Sequence, residues 1–369
     1  MSSVQFVDRR ARLARSLDEL TVSAFIVTHL PNVRYLTGFS GSAAALVVEK
    51  DEATTLITDS RYKNQSQEET GQLDIHLVTG SYEETLARFT RARAFTSLAY
   101  EESHLRVSQL NLLESELPTA RLMGTQGLVE ELRIVKDATE LAVLERAAVG
   151  LMPALDSLRS SIRMGTSERT FATELDYRLR RDGYEKTSFD TIVASGSRSA
   201  LPHGRPTDRR FRTGDIVVAD FGGVMEGYAS DITRTFSIGD PPGEMARVYE
   251  VVAAAQQAGI QRIGPGVEAQ EVDAAAREVI EAAGFGEFFG HGTGHGIGLE
   301  VHEAPWISPG RAERLKAGMV FTVEPGIYIP GKGGVRLEDD VLVTEDGYRL
   351  LSRNENENGL QDFSWVCYG

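Results

Sequence analysis

Short apolar runs alternate with amphipathic segments through the first third of the chain, which is the pattern of an α/β domain. The polar stretch EKDEA, between two of these runs, is short enough to form a hairpin. We therefore expect the sheet to contain both parallel and antiparallel strand pairs. The predicted strands are 24–27, 44–48, 54–58, 74–78 and 97–100, and the predicted covering helices are 81–93 and 105–117.

The pattern changes at Asp137, which together with Glu140 forms a D-x-x-E capping box. Apolar residues then recur at alternating steps of three and four for about three heptads, with Pro153 among them. A coiled coil requires a longer uninterrupted repeat, so the pattern favours a kinked core helix. We place a domain boundary just before this helix, which gives an N-terminal domain of residues 1–127 and a C-terminal domain of residues 128–369.

Helical and β-rich segments alternate through the second half, which predicts an α+β domain. Its strands differ from those of the first third because isolated acidic residues stand within runs of β-branched residues. The tail NENENGLQDFSWVCYG has an unusual composition, which suits either an expression remnant or an interface strand. The predicted helices are 167–181, 244–262 and 268–283, and the predicted strands are 216–221, 233–238, 320–325 and 335–343.

The composition is that of a soluble protein with two packed domains: 369 residues, 41% hydrophobic and 25% charged. The formal net charge of -15 argues against a nucleic-acid-binding surface. Cys367 is the only cysteine, so no internal disulfide can form. No apolar stretch approaches the ~18 residues of a membrane span, and no apolar run follows the arginines near the N-terminus. We therefore expect a cytoplasmic protein without membrane partners.

Three of the seven histidines lie within the segment HGTGHGIGLEVHEAP, namely His291, His295 and His302. The spacing of the first two matches the helical metal motif H-E-x-x-H, but the intervening glycines each cost about 1 kcal/mol in a helix. The segment is therefore expected to be extended or looped. It also lacks the G-x-G-x-x-G spacing of a dinucleotide-binding turn. These histidines need partners from elsewhere in the chain.

Four acidic residues stand in apolar strand-like runs, where a carboxylate must be offset by a cation or by hydrogen bonds. Taken singly, Asp220 is compatible with accepting hydrogen bonds from turn amides, and Glu324 with pairing with an arginine. Together with one imidazole, four acids form the ligand set expected for two divalent ions. Oxygen-rich ligation favours Mn²⁺ and leaves Co²⁺ and Zn²⁺ open. The four acids are Asp220, Asp231, Glu324 and Glu338, and the imidazole is that of His295.

Several motifs in order along residues 128 to 350 resemble the pita-bread metallopeptidases, specifically the two-domain Xaa-Pro peptidases, aminopeptidase P and prolidase. These motifs are FGGVMEGYASDITRTF, HGTGHGIGLEVHEAP, FTVEPGIY and GVRLEDD. NVRYLTGFSGSAAALVV and LITDSRY resemble the creatinase-type N-terminal domain more loosely. The resemblance implies a creatinase-like α/β domain followed by an α+β pita-bread catalytic domain. It also implies that all five candidate ligands bind a dinuclear centre, with Asp231 and Glu338 bridging the ions.

The resemblance further assigns roles near these ligands. It implies that Glu324 is also the proton acceptor from the attacking water, and that His302 contacts the scissile amide. It implies that His203 closes over the substrate, and that His291 and Arg336 orient ligands or contact the substrate. Tyr228 and Arg336 are candidates for lining a proline pocket. A serine hydrolase based on Ser195 or Ser197 is disfavoured because no G-x-S-x-G motif surrounds them.

The predicted function is a metal-dependent exopeptidase that removes the N-terminal residue from peptides with proline in second position. The alternatives are a prolidase restricted to Xaa-Pro dipeptides, a hydrolase of another amide, and a non-catalytic binding protein that keeps the fold. Creatinase and chaperone-like relatives have lost metal ligands, so the complete ligand set of this chain favours a working hydrolase. Methionine aminopeptidase lacks a large N-terminal domain, so the domain of residues 1–127 favours the proline-directed peptidases. The expected partners are proline-containing peptides and a second copy of the chain in a homodimer.

Overall fold

The computed structural model describes residues 3–71, 73–352 and 367–368. Its contacts divide the chain into two compact units, Met1–Arg133 and Ile134–Gly369. The sequence-based boundary at residue 128 lies six residues before this division and stays a prediction.

The first unit contains a six-stranded mixed sheet in the order β4-β3-β2-β1-β5-β6. The strand pairs β1–β2 and β2–β3 are antiparallel, whereas β1–β5, β3–β4 and β5–β6 are parallel, so the predicted hairpin and mixed sheet are confirmed. The elements are α1 Ser3–Glu19, β1 Ala24–Val27, α2 Leu30–Thr37, β2 Ala44–Glu49, β3 Thr54–Thr58, α3 Lys63–Thr70, β4 Asp74–Leu77, α4 Tyr82–Ala92, β5 Ser97–Glu101, α5 Val107–Glu116, β6 Arg121–Thr125 and α6 Glu130–Ile134.

The second unit combines helices with several small sheets, and the acidic residues that the sequence singles out lie in their strands or within two residues of a strand end. The helices are α7 Ala138–Val149, α8 Leu151–Asp156, α9 Glu168–Arg181, α10 Gly243–Arg262 and α11 Ala269–Ala282. The strands are β7 Lys186–Thr187, β8 Ile192–Ser195, β9 Ile216–Phe221, β10 Gly223–Met225, β11 Tyr228–Ala229, β12 Ile232–Ile238, β13 Gly294–Gly296, β14 Glu303–Ile307, β15 Val320–Val323, β16 Gly326–Ile329, β17 Gly333–Arg336, β18 Asp339–Val343, β19 Tyr348–Leu350 and β20 Cys367–Tyr368. Their sheet orders are β11-β10-β7, β20-β12-β9-β8, β14-β13-β15-β18-β19 and β16-β17.

The helix predicted after Asp137 begins with the expected capping box, in which its carboxylate accepts from the backbone of Thr139 and Glu140. The interruption lies at Gly150, not at Pro153. Pro153 lies in the first turn of α8, where a proline costs no helical hydrogen bond. A Cβ at Gly150 would collide with the hydroxyl of Tyr184. The helix is therefore interrupted where a side chain distant in sequence packs against its backbone.

The predicted single strand 335–343 is wrong, because β17 ends at Arg336 and β18 begins at Asp339. The two halves belong to different sheets: β17 pairs with β16, and β18 pairs with β15. The run 320–325 is also shorter than predicted, since β15 ends at Val323. Glu324 and Glu338 therefore lie just beyond strand ends and not within strands.

Most of the unusual C-terminal tail, including residues 354–366, lies outside the described residues. Cys367–Tyr368 pairs in parallel with Ser237 and Ile238 of β12. Within the described part of the chain, no helix is both long and apolar enough to cross a membrane.

Candidate metal centre

Two of the candidate ligands come from the antiparallel pair β9–β12. Asp220 lies in β9 opposite Thr233, and Asp231 immediately precedes β12. Both side chains are buried. Ile232 lies opposite Phe221 in this ladder, so the two carboxylates lie at the same end of the sheet.

Two more candidate ligands are brought together by the pair β15–β18. Val323 and Asp339 form the last pair of this antiparallel ladder. Continuing that register by one position places Glu324 opposite Glu338. The ladder thus explains why two carboxylates fourteen positions apart in sequence meet.

His295 lies in β13, next to β15, and its backbone N–H donates to the hydroxyl of Thr322 at 3.1 Å. A Cβ on Gly294 would overlap the carbonyl oxygen of Thr322, so glycine is required for this close approach. The segment is extended, as predicted. Its glycines bring the strands close enough to aim the imidazole at the carboxylates.

The tautomer of His295 follows from its neighbour. Nδ1 lies 3.1 Å from the carbonyl oxygen of Gly296, and a carbonyl can only accept, so Nδ1 carries the proton. Nε2 then presents a lone pair, 3.5 Å from Oε1 of Glu324 and 3.9 Å from Oδ2 of Asp231. Burial lowers the pKa of His295 to about 4, so the ring is neutral at physiological pH. A neutral imidazole is the form that binds a metal.

The carboxylates repel one another in this buried site. Desolvation, followed by the charges of Glu338 and Asp220, raises the pKa of Asp231 well above its usual range. Desolvation likewise raises the pKa of Glu338, and it raises the pKa of Glu324 to about 8. Without a metal ion, these carboxyl groups keep protons at pH values at which carboxyl groups in water have lost them.

These features fit a divalent metal. One ligand atom from each of Asp231, His295 and Glu338 lies within 4.8 Å of the others. Oδ1 of Asp220 and Oδ1 of Asp231 are buried and have no hydrogen-bond partner among the described residues. Buried carboxylate oxygens without partners, beside an imidazole lone pair, are stabilised by a cation that ligates them.

Arg336 is the buried cation on the other side of the site. Its guanidinium donates to Oδ2 of Asp220, from Nη1 to the hydroxyl of Tyr328 at 2.7 Å, and from Nε to Oγ1 of Thr233 at 3.1 Å. Oγ1 of Thr233 in turn donates to Glu338 at 2.7 Å. Arg336 therefore holds one candidate ligand directly and another through a threonine.

A hydrogen-bond chain extends from Arg336 through Tyr328 to His291. Nδ1 of His291 lies 2.7 Å from the carbonyl oxygen of Gly292 and must donate to it. Nε2 therefore accepts from the hydroxyl of Tyr328 at 3.0 Å. Burial lowers the pKa of His291 to about 4, so it is neutral. His291 thus contacts Arg336 only through Tyr328, and it is not among the clustered ligand atoms.

All five candidate ligands line one cavity of about 710 Å³. His203, His291, His302 and Arg336 line the same cavity, so the structure brings together all the predicted ligands and the predicted catalytic residues. The wall also contains apolar side chains, among them Phe189, Ile192 and Trp306. A mostly apolar cavity with a few convergent polar groups is the usual form of a small-molecule site.

Two sequence-based candidates lie elsewhere. Tyr228 does not line the cavity; it is buried in the core, and its hydroxyl donates to Glu140 at 3.0 Å. Its proposed role in a proline pocket is therefore wrong. The hydroxyl of Ser195 donates to Glu168 at 2.7 Å and is not a nucleophile beside a histidine. This agrees with the absence of a serine-hydrolase motif.

Sequence reasoning missed three residues that contact the candidate ligands or the side chains beside them. Thr233 lies two positions after Asp231, and Thr322 lies two positions before Glu324, so each shares a strand face with its acid. That spacing is a signal which the sequence did contain. Tyr328 has no such signal, because its role depends on the pairing of β16 with β17.

Comparison with known proteins identifies the class. Residues 142–345 match the Metallopeptidase family M24, and residues 9–135 match the Creatinase/Prolidase N-terminal domain. The chain belongs to the M24 metallopeptidases, a family that requires divalent metal ions, and the predicted resemblance is confirmed. The fold is a creatinase-type N-terminal domain followed by a pita-bread catalytic domain, as predicted.

Named relatives match along nearly the whole chain. The Xaa-Pro dipeptidase of Pyrococcus furiosus is 36% identical over 351 residues, which cover 95% of this chain and 99% of that protein. The solved structure of an Xaa-Pro dipeptidase from Bacillus anthracis has 38% identity and a TM-score of 0.90, with 96% of this chain and 98% of that chain covered. The X-Pro aminopeptidase from Thermotoga maritima has 38% identity and a TM-score of 0.85, with coverage of 92% and 98%.

Proposed function

We propose that this protein is a dinuclear metal-dependent Xaa-Pro aminopeptidase, which hydrolyses the bond between an N-terminal residue and a following proline. The observation that carries the proposal is the lining of one cavity by all five candidate ligands: Asp220, Asp231, His295, Glu324 and Glu338. The similarity to Xaa-Pro peptidases over nearly the full chain supports the proline-directed substrate class.

The same five residues are the proposed ligands of two divalent ions. Their donor set has eight carboxylate oxygens and one imidazole nitrogen, which suits Mn²⁺ best among the candidate metals. When bound, such ions polarise a carbonyl and lower the pKa of water, so that hydroxide is available near neutral pH.

The side chains of the cavity supply the proton transfers. Glu324 is the proposed acceptor of the proton from the attacking water, because its carboxylate lines the cavity beside the other candidate ligands. Burial lowers the pKa of His302, so at neutral pH its ring is neutral and can donate one hydrogen bond to the developing tetrahedral oxygen. His203 is exposed and lines the cavity, where it can close over the peptide.

The preference for peptides longer than two residues is supported by the charges of the cavity. A dipeptidase must bind a carboxylate immediately after the proline, and that requires a cation with donors to spare. Among the described lining residues, the arginines are Arg336, which is buried and donates four hydrogen bonds from its guanidinium, and Arg205, which is exposed beside Asp190. The described lining thus contains no second buried arginine for such a carboxylate. A cavity of about 710 Å³ also lies in the upper half of the usual range for small-molecule sites.

A second candidate is an Xaa-Pro dipeptidase. The names of the relatives from Pyrococcus furiosus and Bacillus anthracis favour it. In that case Arg205 is the proposed receptor of the dipeptide carboxylate within this chain. A homodimer and a cytoplasmic location remain predictions, the first from the resemblance and the second from the composition.

The test is hydrolysis of an Xaa-Pro dipeptide, an Xaa-Pro-Yaa tripeptide and a longer Xaa-Pro peptide, with an Xaa-Ala-Yaa tripeptide as the proline control. The protein is stripped of metal and reloaded with Mn²⁺, Co²⁺ or Zn²⁺, and Asp231→Ala serves as the inactive control. Cleavage of the tripeptide and the longer peptide supports the aminopeptidase. Cleavage confined to the dipeptide supports the second candidate, and no cleavage of any Xaa-Pro peptide refutes both.

A further inference from the structure

A buried ion pair lies beside the loop of residues 297–302, which connects β13 to β14. Neither residue of the pair has a role in the site described above. Nζ of Lys136 donates to Oε1 of Glu303 at 2.8 Å, and the two side chains are only 1% and 7% exposed. Lys136 precedes α7, whereas Glu303 begins β14 and directly follows His302. The pair thus joins the start of the second unit to the loop that carries a proposed catalytic histidine.

The carboxylate of Glu303 organises that loop from within. Gly296 and Glu303 pair across β13 and β14, and they enclose residues 297–302. Oε2 of Glu303 accepts from the backbone N–H of Glu300 at 3.4 Å. The carboxylate also lies against the backbone of Gly298, where a Cβ would collide with it.

The loop ends at His302, whose ring packs against the ring of the candidate ligand His295. The ring centroids of His302 and His295 are 4.2 Å apart in an edge-to-face arrangement. Because His302 is bonded directly to Glu303, a shift of the Glu303 carboxylate changes the position from which the histidine ring projects. A displacement of about 1 Å at a catalytic group can cost about 100-fold in rate.

We propose that Lys136 is a positioning residue, which fixes Glu303 and thereby holds His302 over the metal ligands. This inference rests on the proposed function, since it concerns the histidine of that site. A buried ion pair is not needed for stability alone, because well-packed apolar residues of similar volume often serve as well. Here the hydrogen bond between the lysine ammonium and the carboxylate fixes the base of the loop in one orientation.

The experiment compares Lys136→Met with the double variant Lys136→Met/Glu303→Met, in full-length, metal-reloaded protein. The matched control is Lys332→Met, which removes an exposed lysine that pairs with Glu244 at 2.7 Å. Three measurements are made. The first gives bound metal per chain, the second gives kcat and KM for an Xaa-Pro-Yaa peptide, and the third gives the NMR ring signals of ¹⁵N-labelled histidines. His302→Gln assigns the His302 signal by its loss.

We expect Lys136→Met to lower kcat by about 10- to 100-fold, the range typical of residues that orient a metal site or its ligands. Bound metal and KM should change less than about threefold, and the His302 ring signal should shift or broaden. The double variant should regain thermal stability, because no unpaired charge stays buried, but should not regain activity. In a His302→Gln background, Lys136→Met should lower kcat less than about threefold, since the residue it positions is already gone.

Three results would overturn the proposal: wild-type kcat in Lys136→Met, full recovery of kcat in the double variant, or an equal loss of kcat in the His302→Gln background. If Lys136→Met does not fold, the double variant decides, because its kcat and His302 signal report the loop without a buried charge. If the wild-type protein cleaves no Xaa-Pro peptide, the proposed function fails. The His302 signal, which needs no substrate, then still decides whether Lys136 positions this histidine.

Discussion

The guanidinium of Arg336 donates to the carboxylate of Asp220, and both buried side chains line the same cavity. The pair places a permanent positive charge beside a proposed metal ligand. Arg336 also donates to Tyr328 and Thr233, so its planar fork fixes three partners at once. An ammonium group cannot match this geometry.

Arg336→Lys should therefore impair the site although it keeps the charge. We expect kcat/KM to fall by about 10- to 100-fold, with weaker metal binding, because Asp220 loses its directed partner. Kinetic assays across a metal titration measure both effects, and the control is Arg169→Lys, at an exposed arginine that pairs with Asp208 outside the cavity lining. Unchanged kinetics and metal affinity would show that Arg336 acts as a charge only.

The metal-free protein should lose stability as the pH rises from 6.5 to 8. The folded-state pKa of Glu324 is raised to about 8, so in this window the folded protein holds protons that the unfolded chain has released. Stability then falls as pH rises. His291 and His295, with pKa values lowered to about 4, give the opposite slope only below their unfolded pKa of about 6.5.

Thermal unfolding from pH 6.5 to 8, with and without Mn²⁺, measures this effect. We expect the metal-free Tm to drop by several degrees, since about 1 kcal/mol shifts Tm by about 2–4 °C in a domain of this size. Added metal should raise Tm and reverse the slope, because metal ions and protons compete for the same carboxylates. A metal-free Tm that rises with pH would contradict the buried-acid interpretation.

Asp231→Asn should stabilise the metal-free protein while abolishing the response to metal. The pKa of Asp231 is raised well above its usual range by desolvation and by neighbouring carboxylates, so the metal-free fold must either bury its charge or keep it protonated. A neutral amide removes that cost. We expect a metal-free Tm at pH 8 at least about 2 °C above that of the wild type. Mn²⁺ should then raise the Tm only slightly, and peptide hydrolysis should be lost. A metal-induced rise in Tm equal to that of the wild type would remove Asp231 from the ligand set.

Arg205→Ala distinguishes the two substrate ranges. Arg205 is an exposed arginine at the cavity, 3.9 Å from Asp190. For an aminopeptidase we expect kcat/KM on long Xaa-Pro peptides to change less than about threefold, because an exposed ion pair contributes little. For a dipeptidase, KM for Xaa-Pro should rise about tenfold or more, since a charge-assisted hydrogen bond to the carboxylate is lost. Asp190→Asn is the matched control, because it removes the opposite charge from the same pair.

The identity of the candidate ligands could be predicted from the sequence because the physical requirement is local. A carboxylate inside an apolar β-branched run, such as Asp220 after IVVA, needs a partner wherever the chain folds. The same logic applied to Glu324 and Glu338, and the ordered motifs supplied His295. Strands with clear alternation or apolar runs, such as β1 and β9, were also predicted at their observed bounds.

The tertiary structure alone decided how these residues meet. The break between Arg336 and Asp339 arises because β17 and β18 join different sheets, and no local pattern records which sheet a strand enters. The helix break at Gly150 depends on contact with Tyr184, thirty-four positions away in sequence. Such features depend on long-range contacts.

The same reason explains the groups that the sequence did not reveal. The chain from Arg336 through Tyr328 to His291, and the pair of Lys136 with Glu303, join residues whose types are ordinary at their own positions. Their roles follow from distance and burial, which exist only after the sheets have paired. The sequence by itself determined which chemical groups the site contains, and the fold determined their orientation, protonation and neighbours.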